Sequence, residues 1–126
     1  MLAKDTKIIM KNKVQTPIQD IVKGDWVKTK YNDEIVTKTS KHVKETYKFI
    51  FSDGFKVIVG EGCSFVTPNE ELIPITKLKE GDYVAKPDNN YVTIVDITPL
   101  GKMEVFDITT ENAYYLVNGM CVHNER

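Results

Sequence analysis

The residues best equipped for covalent chemistry lie at the end of the chain, in Tyr115-Leu116-Val117-Asn118-Gly119-Met120-Cys121-Val122-His123-Asn124-Glu125-Arg126. A strand-like run meets an Asn-Gly turn, resumes as Met120-Cys121-Val122, and stops on adjacent His and Asn side chains. An imidazole can give or take a proton near neutral pH, and it stands here beside a carboxamide. Two readings follow: a frayed polar tail, or a point at Asn124 where the backbone is cut. Two thiols, Cys63 and Cys121, lie far apart in sequence. Their spacing is not that of metal ligands, and two cysteines do not make a disulfide scaffold. One bridge and two free thiols are equally compatible with the sequence.

The rest of the chain has to position these groups. Its 126 residues suffice for one domain with a single core. Hydrophobic residues make up 41% and charged residues 28%, which is the balance of a globular protein. The formal net charge is −1, with acids and bases interspersed, so no basic stripe predicts nucleic-acid binding. No apolar run reaches membrane-spanning length and no signal peptide is evident, which predicts a cytoplasmic protein without a membrane partner. Nothing in the residue pattern calls for a cofactor or a metal ion, and a monomer is expected.

Runs rich in Val, Ile, Thr, Phe and Tyr recur between Gly, Asp, Asn and Pro, as in Lys7–Met10, Trp26–Thr29, Glu34–Lys38, Thr46–Phe51, Phe55–Val59, Ser64–Thr67, Tyr83–Ala85, Tyr91–Ile97, Glu104–Thr109, Ala113–Val117 and Met120–Val122. The alternating runs Tyr47–Phe51 and Phe55–Val59 flank Ser52-Asp53-Gly54 and predict a hairpin; Asn118-Gly119 predicts a second. No window sustains a helical period, and only Pro17–Lys23 and Ile75–Lys79 suggest single helical turns. The fold class is therefore all-β. One segment is duplicated: Pro17-Ile18-Gln19-Asp20-Ile21-Val22-Lys23-Gly24-Asp25-Trp26-Val27 matches Pro74-Ile75-Thr76-Lys77-Leu78-Lys79-Glu80-Gly81-Asp82-Tyr83-Val84. Two copies in one domain predict related halves about a pseudo-two-fold axis.

With these residues assembled, the chain resembles the hedgehog/intein (Hint) family, in particular inteins and bacterial intein-like domains. Leu2–Ile8 is similar to the family's first motif, which normally opens with Cys; Val57–Thr67 to the second, usually Thr-x-x-His; Val105–Thr109 and Tyr115–Gly119 to the penultimate; Val122-His123-Asn124 to the last. The resemblance spans essentially the whole chain in order. It implies a Hint domain over 1–124, with 125–126 as a remnant of the downstream flank.

The resemblance implies single-turnover protein splicing or self-cleavage rather than turnover catalysis, with the chain's own flanking segments as the partner. Asn124 would cyclise to a succinimide and expel the amine of Glu125, with His123 assisting by proton donation or by a hydrogen bond to the carbonyl. Asp107 matches an acidic motif position and would orient a reacting group; its bland counterpart is a solvated strand carboxylate. The departures are as informative. Met1 holds the place of the first nucleophile and its thioether cannot form a thioester, so the N-terminal acyl shift is expected to be disabled. Cys63 stands where a His would polarise the upstream amide; it is either a substitute nucleophile or inert packing. Ala113 replaces a further His, and Glu125 replaces the usual Cys, Ser or Thr acceptor at the downstream junction. Cys121, two residues from His123, is expected to share its strand face and to pack. His42 matches no motif and is expected on a surface strand. The expectation is slow cleavage after Asn124; the alternative is a catalytically inactive Hint-fold structural or interaction module. An unrelated ligand-binding β-barrel would leave the ordered matches unexplained.

Overall fold

Alternating apolar and polar side chains between Gly, Asp and Asn turns select strands over helices. The computed structural model of the chain, which describes residues 1–124, consists of them. In chain order they are β1 (Lys7–Ile9), β2 (Gln15–Pro17), β3 (Trp26–Lys28), β4 (Asp33–Ile35), β5 (Lys38–Phe51), β6 (Lys56–Gly60), β7 (Cys63–Val66), β8 (Leu72–Pro74), β9 (Tyr83–Ala85), β10 (Tyr91–Thr109), β11 (Tyr114–Val117) and β12 (Met120–Asn124). They form two four-stranded sheets, ordered β6-β5-β10-β9 and β11-β12-β7-β8, and two small ribbons, β1-β2 and β3-β4. No helix among the described residues is long and apolar enough to cross a membrane.

The long ribbon of β5 and β10 runs further than the sequence runs predict. It pairs from Ile94↔Phe51 to Thr109↔Lys38, passing through Pro99-Leu100-Gly101. Proline lacks a ladder donor, which argues for a strand break. Here the register shifts between Pro99 and Gly101, Gly101 takes a φ of +79°, and the Thr46 hydroxyl donates to the Gly101 carbonyl at 2.8 Å. A bulge thus absorbs the proline and lets one strand carry both predicted runs.

The duplicated segments adopt one structure twice. Ile18–Asp20 and Ile75–Lys77 are single 3-10 turns. The Val22 and Lys79 amides donate to the carboxylates of Asp25 and Asp82 at 3.0 and 2.9 Å. Gly24 and Gly81 donate to Val36 and Ile94, and those residues donate back to the carbonyls of Asp25 and Asp82. Both glycines sit at positive φ, +98° and +92°, a region L side chains rarely adopt. The same hydrogen bonds at matching positions are the structural counterpart of the sequence repeat.

One core joins both halves. Phe65 meets Phe49 and Phe51 edge-on at 5.7 and 5.9 Å between ring centres, and Ile18, Ile75, Val27 and Val84 enter the core from the duplicated turns. The first residues thread through it: Leu2 exchanges backbone hydrogen bonds with Phe106 on β10, Ala3 donates to Ile58, and Gly60 donates to the Met1 carbonyl at 2.8 Å. Residue 1 is thereby fixed in the interior beside β10.

Candidate functional site

The Asn118-Gly119 turn, with φ of +51° and +78°, joins β11 to β12 as a tight hairpin and sets its register. Val117 pairs with Met120, Tyr115 with Val122 and Tyr114 with His123. Side chains alternate along a strand, so Met120, Val122 and Asn124 face the core while Cys121 and His123 leave on the opposite face. On its other edge β12 pairs with β7, which sets Cys63 directly across from Asn124. The last described residue is thus a buried asparagine, 4% exposed, in a strand held on both sides.

Four groups converge on its carboxamide. Nδ2 donates to the Asp107 carboxylate and also to the Ile108 carbonyl, the latter at 3.1 Å. Oδ1 accepts from the Tyr115 hydroxyl at 3.2 Å and from the Met1 α-ammonium at 3.2 Å. Carboxylate and carbonyl only accept and an ammonium only donates, so this set fixes which way the amide points. The Met1 ammonium also donates to the Tyr115 oxygen at 3.0 Å and pairs with Asp107 at 3.6 Å. Burial pushes the Tyr115 hydroxyl well above the ordinary phenol value; Cys63 and Asp107 add to the shift and the Asn124 hydrogen bond opposes it. Tyr115 therefore stays protonated and remains a donor at neutral pH.

Of the residues singled out in the sequence, the structure brings Met1, Asp107, Asn124 and Cys63 together. Asp107 is no solvated strand carboxylate: it is buried and touches both ends of the chain. The Cys63 thiol is buried and points its hydrogen at the Ser64 carbonyl, 3.9 Å away. Neither cysteine is in a disulfide, which settles the bridge left open above. The Met1 thioether packs against Gly62. Ala113 is buried at φ +63°, and its carbonyl accepts the Asn124 backbone N–H at 3.1 Å. The His123 ring lies against Tyr114, 4.6 Å between centres, on the strand face opposite the Asn124 carboxamide. Glu125, the expected junction residue, lies outside the described residues.

Cys121 shares the His123 face as expected, away from the Asn124 carboxamide. Burial pushes its thiol up to about 11, partly offset by the Lys30 backbone N–H and ammonium. It lines a groove of about 870 Å³ with Lys28, Lys30, Lys86 and Leu116. His42 is half-buried on β5 and shares a 3.0 Å hydrogen bond with Ser40, the direct cross-strand neighbour of Asp107.

Tyr115 and this Ser40–His42 pair escape motif reading. Tyr115 was nevertheless reachable: counting back through the Asn-Gly turn puts it opposite Val122, on the Asn124 face. Ser40 was not, because its place across from Asp107 depends on the register shifts in β10.

No protein-family model matches the chain, and no curated protein matches it. Solved structures do. An all-β chain that folds two copies of a turn motif about one core, and buries both its first residue and a terminal-motif asparagine at a shared carboxylate, has the hedgehog/intein fold in the form that inteins take. The gp41-1 intein is similar at a TM-score of 0.86 and 26% identity, covering 98% of this chain and 97% of that one. The Ssp DnaB mini-intein variant M86 is similar at a TM-score of 0.84 and 20% identity, over 99% and 94% of the two chains. A DnaB intein from Synechocystis sp. is similar at a TM-score of 0.84 and 20% identity, over 99% and 98%.

Proposed function

We propose that this is an intein-type self-processing domain spanning 1–124 whose remaining activity is cleavage after Asn124. Its substrate and partner is its own flanking polypeptide. The observation that carries the reading is the set of partners around the Asn124 carboxamide. Asp107 accepts from the nitrogen that must become a nucleophile, and Tyr115 donates to the oxygen that takes up charge as that nitrogen loses a proton. An amide nitrogen is a weak nucleophile, so a fixed geometry supplies much of the rate. Ring closure on the Asn124 backbone carbonyl forms the N–C bond of a succinimide and breaks the peptide bond to Glu125. His123, on the opposite strand face, is the proton donor for the departing amine.

The upstream step has no counterpart. Met1 offers a thioether packed against Gly62 in place of a nucleophile, and Cys63 and Ala113 withhold the imidazoles that would move protons there. Glu125 offers no useful acyl acceptor. Cleavage without ligation, and slow cleavage, follow from these four positions.

A second reading, an inactive module, has one observation in its favour. Both N–H groups and both lone pairs of the Asn124 carboxamide are already occupied, as in a purely structural asparagine. Replacing Asp107 separates the two. With a longer tail appended, Asp107→Asn slows tail release by roughly tenfold or more if the carboxylate activates the amide. Equal release by the folded variant and the parent chain contradicts the catalytic reading.

A further inference from the structure

The turn that leads into β11 is gripped by a buried carboxylate from a distant element. Glu34 lies on β4, 6% exposed, and its two oxygens accept the backbone N–H and the side-chain Nδ2 of Asn112 at 3.0 and 2.9 Å. The next residue, Ala113, has a φ of +63°, in the left-handed region that L side chains rarely enter. Its carbonyl accepts the Asn124 backbone N–H at 3.1 Å. A chain of contacts therefore runs from Glu34 through Asn112 and Ala113 to the backbone of Asn124. We propose that Glu34 is a positioning residue for cleavage after Asn124, acting through this chain, a role that rests on the cleavage reading above.

Ring closure brings Nδ2 onto the backbone carbonyl carbon of the same residue, so the approach is set by the torsions of Asn124 itself. Asp107 and Ile108 hold the carboxamide end. The backbone end is held by the N–H to Ala113 and by the pairing of Asn124 with Cys63 on β7. Losing the Ala113 contact frees the backbone to turn while the carboxamide stays in place. The share of molecules in the attacking arrangement then falls.

Glu34 has the leverage to control that contact. A left-handed alanine persists only where its surroundings over-determine it. The turn's own bonds are long for their kind: Ala113 N–H to the Thr110 carbonyl at 3.2 Å, and the Thr110 hydroxyl to the Tyr114 carbonyl at 3.3 Å. The two bonds to Glu34 are shorter and charge-assisted, which makes them roughly twice as strong as neutral ones. The β3-β4 ribbon that carries Glu34 is itself tied. The Thr29 N–H donates to the Asn32 carbonyl at 2.7 Å, and the Thr29 hydroxyl accepts the Asn32 N–H at 3.1 Å. From the same ribbon Tyr31 meets Tyr114 edge-on at 5.4 Å, and Tyr114 lies against His123. One ribbon thus backs both residues of the His-Asn pair.

The test uses the chain with a longer segment after Arg126. Tail release is followed by intact mass at a temperature where each variant is fully folded, and the Asn124 backbone N–H is followed by hydrogen exchange. Glu34→Gln keeps the size but sets its NH2 against one of the two Asn112 donors. It is expected to slow release roughly tenfold or more and to speed exchange at Asn124. Adding Asn112→Asp swaps donor and acceptor, so the introduced amide donates to the introduced carboxylate and both readings return towards the parent. Asn112→Ala, which removes only the side-chain arm, gives a smaller loss in the same direction. A role confined to stability lowers the melting temperature and leaves release from the folded chain unchanged. Release at the parent rate from folded Glu34→Gln and Asn112→Ala overturns the proposal and leaves the cleavage reading standing. Slowed release that the paired change does not restore does the same. A parent chain that never releases its tail overturns both.

Discussion

At the scale of single residues, the Asn124 carboxamide is held between an acceptor that pulls on its nitrogen and donors that pull on its oxygen. Tyr115 is the group this balance turns on. Tyr115→Phe keeps the ring and removes the hydroxyl, leaving Asn124 Oδ1 and the Met1 ammonium one partner short each. The expected loss is about 1–3 kcal/mol of stability, read by urea titration, together with slower tail release. The second thiol gives a pH signature. Burial raises Cys121 from an ordinary 9.0 to about 11, so the unfolded chain releases that proton first. The resulting stability is complete below pH 9 and is lost as pH rises through about 11, a change of roughly 2–3 kcal/mol. Comparing the parent with Cys121→Ala across this window isolates the effect: the variant, lower in stability at neutral pH, shows a shallower alkaline decline. Motif order singled out Asn124, Asp107, Met1 and Cys63, four residues that the structure brings together. Tyr115 was hidden because a tyrosine in an apolar strand reads as core until its register is counted.

At the scale of elements, the site depends on β7 and β12 lying side by side, since that pairing sets Cys63 across from Asn124. Phe65, on the same strand as Cys63 and paired with Val122, anchors β7 against Phe49 and Phe51. Phe65→Ala should cost about 3–5 kcal/mol and, in the fraction still folded, loosen the β12 register. A thermal melt reads the first effect and amide exchange at Val122 the second. Short strands and tight hairpins were readable from alternation and turn residues. The continuous β5 and β10 were not: a Pro-Leu-Gly sequence signals a break, and only the long-range Thr46–Gly101 hydrogen bond turns it into a bulge. Strands β2 and β8 also escaped, because each ends on the proline that opens a copy of the repeat, and proline argues against a strand.

At the scale of the whole molecule, the internal repeat was the most legible feature, because identical turn chemistry recurred without gaps. Gly24 and Gly81 occupy equivalent left-handed positions, and an added Cβ would meet no heavy atom within 4 Å at either. Gly24→Ala and Gly81→Ala should therefore cost a similar amount, about 1–2 kcal/mol each, through backbone strain alone. Chemical denaturation of both variants checks the equivalence; markedly unequal losses would argue against matched halves. Met1 and Asn124, far apart in sequence, meet at the Asp107 carboxylate, and the proposed self-processing rests on that meeting. The most direct measurement of that function is the mass of the domain after incubation with a longer segment following Arg126. The account predicts a product ending at Asn124 and one water lighter than the hydrolysed acid, the mark of a succinimide, and no such product from Asn124→Ala. A tail that stays attached in both proteins, or is lost equally from both, contradicts it.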